Sequence, residues 1–230
     1  MTAIQALDIC IDCSHWQGTI DWPAVRASGI LIAMIKATEG ESWIDPLFGL
    51  NRRLAEDARL VVIPYHFLRP GSPSEQARHF RTAAGIDYGA PYALDWEGRA
   101  SETASAEHVQ AIGDELGAAI GRKPLGYWGI PGSTPAEPTR NMLEWPRWVP
   151  RYPLPGVRDW SMMGTSPREH PETYWRKDAG IANLPSFGQY TAVGRVPGVS
   201  GDVDRSVAFF ASEEEALAWY RGDAVQEPKP

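Results

Sequence analysis

The sequence predicts an α/β protein: a single-domain, TIM-like β/α barrel with helices missing in its last third. Three observations predict it. Apolar, strand-like runs alternate with amphipathic helical stretches through about residue 128, the rhythm of a parallel sheet covered by helices. Beyond that point the helical period fades and strand-like runs follow with little between them. Several strands also end in a polar or aromatic residue, as they do where a barrel carries its working groups on one rim.

The elements follow in order. Residues 7–13 read as a strand ending at Asp12-Cys13-Ser14. Asp21 is placed to cap a short helix to about Ser28, with Pro23 in its first turn. The continuous apolar run Ile30–Lys36 fits a strand buried on both faces. Asp45-Pro46 is expected to open a helix through Asp57, and Leu60–Phe67 is the next strand. Ser72-Pro73-Ser74-Glu75 is a capping box that opens a helix to about Ala84. A strand over 91–97 follows. Val109, Ile112, Leu116 and Ile120 then mark one face of a helix that Gly121 ends. Strands are expected at 125–128, 145–149, 187–190 and 203–207, and Ser212-Glu213-Glu214-Glu215 opens a last helix to Arg221. Residues 1–222 are taken as the barrel and 223–230 as a polar, proline-containing tail or linker.

Composition narrows the function. With 230 residues, 43% of them apolar, one sizeable core is possible. The net charge of −7 and the lack of a basic, aromatic-interleaved cluster argue against nucleic acid. No run approaches a membrane span, so membrane insertion is not expected. The N-terminus lacks the basic and apolar regions of a signal peptide, so the expectation is synthesis in the cytoplasm. Cys10 and Cys13 fall on opposite faces of a strand and read as buried thiols rather than as a redox or zinc pair. No His/Asp/Glu group has metal-ligand spacing, and neither metal nor cofactor is expected. Ten tryptophans exceed what a core of this size asks for, and flat rings with a polar edge suit a cleft for sugars.

The chemistry centres on Tyr92-Ala93-Leu94-Asp95-Trp96-Glu97-Gly98. On a strand, residues two apart share a face, so Asp95 and Glu97 should emerge together where the strand stops. Mutual repulsion and desolvation raise the pKa of one carboxyl above the other. A protonated acid beside an ionised carboxylate is equipment for cleaving a glycosidic bond. Glu97, with the longer reach, suits the proton donor, and Asp95 suits the partner beneath the sugar. Asp12, Lys36, Tyr65 and Tyr127 lie at other strand ends, while His66, adjacent to Tyr65, should point away and be structural.

The chain resembles the glycoside hydrolase family 25 muramidases, the Chalaropsis-type lysozymes. The resemblance rests on six segments in order between about residues 8 and 210. They are Ile11–Gly18 with Ile20-Asp21-Trp22; Ile35–Gly40 with Asp45-Pro46 and Asn51; Pro64–Phe67; Leu94–Glu97; Trp148–Tyr152 with Gln189-Tyr190; and Gly201–Asp204. It implies hydrolysis of the β-1,4 bond between N-acetylmuramic acid and N-acetylglucosamine in peptidoglycan. It implies Glu97 as general acid, Asp95 as its partner, and Asp12 and Asp204 completing an acidic floor, with Asp202 second to Asp204. Lys36, Tyr65, Tyr127, Trp148 and Gln189 are expected to bind substrate. Gly188 stands where the family often has Trp, Pro150 replaces a usually small residue, and 156–184 has no counterpart.

The expected partner is therefore the glycan strand of bacterial peptidoglycan, acted on by a monomer. The expected setting is a phage endolysin, released to the wall through a holin. The competing readings are a non-catalytic wall-binding barrel and a hydrolase of another N-acetylated glycan such as chitin.

Overall fold

The computed structural model describes residues 4–98, 101–128, 136–152, 155–164, 168, 174–175 and 185–222. Nine strands form one sheet: β1 (Gln5–Cys13), β2 (Ile32–Glu39), β3 (Trp43–Ile44), β4 (Val61–Phe67), β5 (Ala93–Asp95), β6 (Leu125–Tyr127), β7 (Arg147–Pro150), β8 (Phe187–Gly194) and β9 (Val203–Phe210). The order is β1-β9-β8-β7-β6-β5-β4-β2-β3, and β1 also pairs with β2. Eight strands thus close a barrel, with β3 attached outside as a hairpin partner of β2. The barrel is parallel from β1 through β8, but β9 runs antiparallel to both of its neighbours. The β/α barrel short of helices is as expected, and among the described residues β9 is the one barrel strand that departs from the parallel pattern. The short connection from β8 to β9 contains no helix to carry the chain back, so the strand returns directly.

Helices cover the first half: α1 (Trp22–Ala27), α2 (Phe48–Asp57), α3 (Pro73–Ala84) and α4 (Ala106–Ile120). Their boundaries follow local chemistry. Asp21 accepts from the Ala24 amide at 3.1 Å, and Ser72 from the Glu75 amide at 3.4 Å. Gly85 and Gly121 end α3 and α4 in the left-handed conformation that glycine adopts without a steric penalty. α2 starts at Phe48, later than Asp45-Pro46 suggests, because the Asp45 carboxylate is used elsewhere, on His15 and the Leu47 amide. β5 is shorter than 91–97 and stops at Asp95. α5 (Glu213–Arg221) is the last helix, capped by Ser212. The tail 223–230 lies outside the described residues.

Strand alternation sorts side chains into three cores. Inside the barrel lie Cys10, Ile32, Met34, Ile63, Tyr65, Ala93, Leu125, Tyr127, Trp148, Phe187 and Ala208. Between barrel and helices lie Ile11, Cys13, Ala33, Ile35, Val62, Leu94, Trp96 and Trp128, packed with Phe80, Val109, Ile112 and Leu116. Cys10 and Cys13 are therefore buried on opposite sides, as expected. The third core covers the outside of β7–β9. There Val149, Tyr190, Val207 and Phe209 are covered by Val157, Met163, Tyr174 and Trp175.

Trp175 also explains the glycine at 188. A Cβ built on Gly188 would fall 2.7 Å from the Trp175 ring. The indole, stacked edge-on against Phe209 at 5.7 Å, occupies the space a side chain at 188 would need. Gly188→Ala is therefore expected to destabilise the fold by about 1–3 kcal/mol through overpacking. Thermal unfolding at constant pH checks this; an unchanged midpoint would show that Trp175 yields.

Candidate active site

The inward-facing side of each strand is apolar at depth and polar at one mouth. On β1, Cys10 is followed by Asp12; on β2, Met34 by Lys36; on β5, Ala93 by Asp95; on β8, Phe187 by Gln189. For the parallel strands this is the C-terminal rim. β9 runs the other way, so its contribution comes from its first residues. Asp204 lies in register with Asp12 and reaches the same mouth. Asp202 does not: it is exposed, and its carboxylate pairs with Arg195. Of the two acids proposed for this position, the structure brings Asp204 to the others.

Gln189 ties the mouth together. It is 1% exposed. Its Nε2 donates to Asp12 Oδ2 at 2.9 Å and to Asp204 Oδ2 at 3.3 Å. Its Oε1 accepts from the Tyr127 hydroxyl at 2.9 Å and also from the Tyr152 hydroxyl. Two phenol donors on one end and two carboxylates on the other leave the amide one favourable orientation. Asp12 and Asp204 also hydrogen-bond each other. Burial pushes Asp12 well up, and the Asp204 charge adds to it. Burial brings Asp204 to about 6, while the bond from Asp12 works in the lowering direction. The two acids titrate as a pair, held above the usual carboxylate range by burial.

Asp95 is buried at the end of β5, and its Oδ1 meets no hydrogen-bond partner among the described residues. Burial raises its pKa well above the usual range, followed by the charge of Glu97; Lys36 opposes them. Glu97 stands two residues on, exposed at the rim. The surrounding walls still raise its pKa by desolvation, with the Asp204 charge next, against the pull of Lys36 and Arg69.

Lys36 does not pair directly with these acids. Its Nζ donates to Glu39 Oε2 at 2.6 Å and lies 4.4 Å from the Phe67 ring centre. Arg69 donates to the other oxygen of Glu39 at 2.8 Å. Its backbone is held by Gln76, which also accepts from His66 Nε2 at 3.2 Å. His66 is fully buried, with burial lowering its pKa to about 4, and it is structural as expected.

Glu39, Arg69 and Tyr152 were not singled out from sequence. Glu39 lies three residues after Lys36, which on a regular strand is the opposite face. An irregularity in the β2–β4 pairing between Lys36 and Thr38 turns it to the same side. No local sequence signal marks that shift. Tyr65 and Tyr127 are buried inside the mouth. Trp148, expected in the groove, is 1% exposed and packs beneath it. Its ring lies 4.5 Å from Tyr127, and its Nε1 donates to Ser206 Oγ at 3.1 Å. Its bulk is needed to fill the barrel where neighbouring inward positions are small, such as Ala93 and Ala208.

Four carboxyl groups, two of them a hydrogen-bonded pair and one the solvent-facing Glu97, can with two nearby cations exchange protons with an oxygen and stabilise a developing positive centre. Among the described residues no group of three or more His, Cys, Asp or Glu is placed to hold a metal ion.

Residues 11–199 match the model of the glycosyl hydrolases family 25. Lysozyme M1 of Streptomyces globisporus is 32% identical over 223 residues, covering 85% of this chain and 66% of that protein. The chain thus spans just under two thirds of that relative's length. The solved bacterial lysozyme from Streptomyces coelicolor is 27% identical, with a TM-score of 0.71, covering 97% of this chain and 99% of that one. A muramidase from Trichobolus zukalii shares the fold, with 23% identity, a TM-score of 0.69, and coverage of 92% and 98%.

The raised pKa of Asp95 carries a stability consequence. Its carboxyl binds a proton more tightly folded than unfolded, so this contribution favours the fold at low pH. It is lost as pH rises from the unfolded pKa, near 3.8, through the higher folded value. Asp95→Asn is therefore expected to stabilise the protein at pH 7 by about 1 kcal/mol, or roughly 2–4 °C in Tm. The gain should vanish near pH 3, where the wild-type carboxyl is also neutral. Melting curves at the two pH values test this; a loss of Tm at pH 7 would count against it.

Proposed function

The chain belongs to the glycosyl hydrolases family 25 and is a glycoside hydrolase; from that premise we propose that it hydrolyses peptidoglycan as an N-acetylmuramidase. The bond cleaved is the β-1,4 link between N-acetylmuramic acid and N-acetylglucosamine. The observation that carries the reading is the Asp95–Glu97 pair at the mouth. One carboxyl is buried and the other faces solvent, and both are raised by desolvation.

In this mechanism Glu97 holds its proton at the rim, where the glycosidic oxygen of an incoming strand arrives. It donates that proton as the C–O bond breaks, and the leaving sugar departs neutral. Positive charge then develops at the anomeric centre. Asp95 is the carboxylate beneath it, either orienting the substrate's acetamido group for internal attack or stabilising the centre itself. The Asp12–Asp204 pair, bridged by Gln189, keeps the charge left after its shared proton below the site. Water completes the reaction, and Glu97 recovers its proton. The phage-lysis setting is compatible with this activity where a membrane pore gives the enzyme access to the wall.

Digestion of purified peptidoglycan, with mass spectrometry of the borohydride-reduced products, tests the proposal. New reducing ends at N-acetylmuramic acid are expected, with Glu97→Gln reducing the rate by about 10²–10⁴-fold. Ends at N-acetylglucosamine would keep the chemistry and overturn the bond. Equal cleavage by the variant would remove Glu97 from its role. Binding of the wall without cleavage would favour a lectin.

The pH profile gives a second test. Glu97 must be protonated, so activity falls as pH rises through its pKa. The Asp204 charge is one cause that raises that pKa. Asp204→Asn should therefore move the basic limb of the kcat/KM profile to lower pH. A shift to higher pH, or an unmoved limb, would contradict the assignment.

A further inference from the structure

Trp16 is 81% exposed, an unusual position for an indole in a chain that buries most of its tryptophans. The 3-10 turn that carries it, His15–Gln17, is held on both sides. Ser14 Oγ accepts from the Trp16 amide at 3.3 Å, and the Ser14 amide donates to Gln17 Oε1 at 2.9 Å. Gln17 Nε2 donates across to the Asp202 carbonyl at 3.3 Å. The His15 amide and Nδ1 both bond Asp45 Oδ2 at 2.9 Å, and Asp45 is buried. A buried carboxylate thus fixes a ring that is itself at the surface. His15 lies against Trp16, with ring centres 4.6 Å apart, and on its other side faces Trp43 at 5.4 Å. Trp43 in turn lies 5.1 Å from Lys36 Nζ, at the acidic mouth.

A chain of ring contacts therefore runs from Trp16 through His15 to Trp43, beside Lys36 at the mouth. We propose that Trp16, supported by His15 and Trp43, is a binding subsite that stacks a hexosamine ring of the glycan strand away from the bond being cleaved. This rests on the peptidoglycan reading above. Three features favour a sugar as the occupant. The turn begins three residues beyond Asp12, and Trp16 lies four residues from it, within about 14 Å of chain reach. A polymer threaded over the mouth must cross this rim. A pyranose offers a flat C–H face with a polar edge, which suits an exposed indole. One exposed indole is also far smaller than the roughly 800 Å² per partner of a stable protein interface.

The test uses solubilised, uncross-linked glycan strands fractionated by length, with new reducing ends counted for four proteins. These are the wild type, Trp16→Ala, Trp16→Phe and Tyr88→Ala. Tyr88 is equally exposed but follows α3 on the opposite rim, and serves as the control. On long strands Trp16→Ala should raise KM by roughly three- to ten-fold, with kcat kept, the signature of lost uniform binding. Trp16→Phe should recover most of the loss, and Tyr88→Ala should match the wild type. On the shortest cleavable strands Trp16→Ala should also match the wild type. Unchanged KM on long strands would overturn the subsite. An equal rise on the shortest strands, or a fall in kcat alone, would place Trp16 in the acid site or in the fold, and overturn it too. A wild type that cleaves no strand of any length would defeat the peptidoglycan reading and the subsite with it, an outcome distinct from the other two.

Discussion

Like charges held out of water are the constraint on which this barrel depends. Asp12 and Asp204 sit opposite each other on paired strands, and directly opposed like charges weaken a sheet. Asp95 adds a third carboxyl within the same closed mouth. The arrangement persists because protons and hydrogen bonds replace the missing solvent. Asp12 and Asp204 hydrogen-bond each other and titrate as a pair, while Gln189 donates to both. Gln189 can do so because Tyr127 and Tyr152 occupy its other end. Beneath this layer Trp148 fills the barrel and is itself anchored to Ser206. Removing any of these supports would leave a buried polar group without its partner, which is more destabilising than never having made the bond.

The positive groups near the mouth are restrained in the same manner. Lys36 and Arg69 share the two oxygens of Glu39, and each lies against the Phe67 ring, at 4.4 and 4.7 Å from its centre. Glu39 keeps them beside the acids without letting either collapse onto Asp95. Their field lowers the carboxyl pKa values that burial raises. The proton affinity of Glu97 is thereby a balance of three neighbours, two on strands β9 and β2 and one just past β4, and a rigid scaffold is needed to hold it. That rigidity comes from two different walls. Helices α1–α4 cover the first half, and an aromatic layer containing Trp175 and Tyr174 covers β7–β9.

Much of the fold was legible because its signals are local. Ser72 and Asp21 announce helix starts, Gly121 a helix end, and the apolar run through Ile35 a doubly buried strand. The acids were legible for a related reason. Asp12 and Asp95 interrupt apolar alternation where a strand ends, and alternation alone says which face they share. What escaped detection depended on events between strands. The irregularity after Lys36 turns Glu39 inward, and nothing in residues 36–40 marks it. Trp175 belongs to a stretch without periodicity, so its packing over Gly188 was not foreseeable. Trp148 carries the same composition signal whether it faces sugar or packs beneath the site.

The sequence by itself determined the class of fold, the rim that works and the residue types that gather there. Side-chain period and capping chemistry act over a few residues, and a few residues suffice to read them. The tertiary structure alone decided that β9 runs backwards, that Asp204 rather than Asp202 meets Asp12, and that one amide bridges the two acids. Residues 12, 189 and 204 are brought together only when the barrel closes, and closure depends on contacts between distant strands that no local pattern encodes.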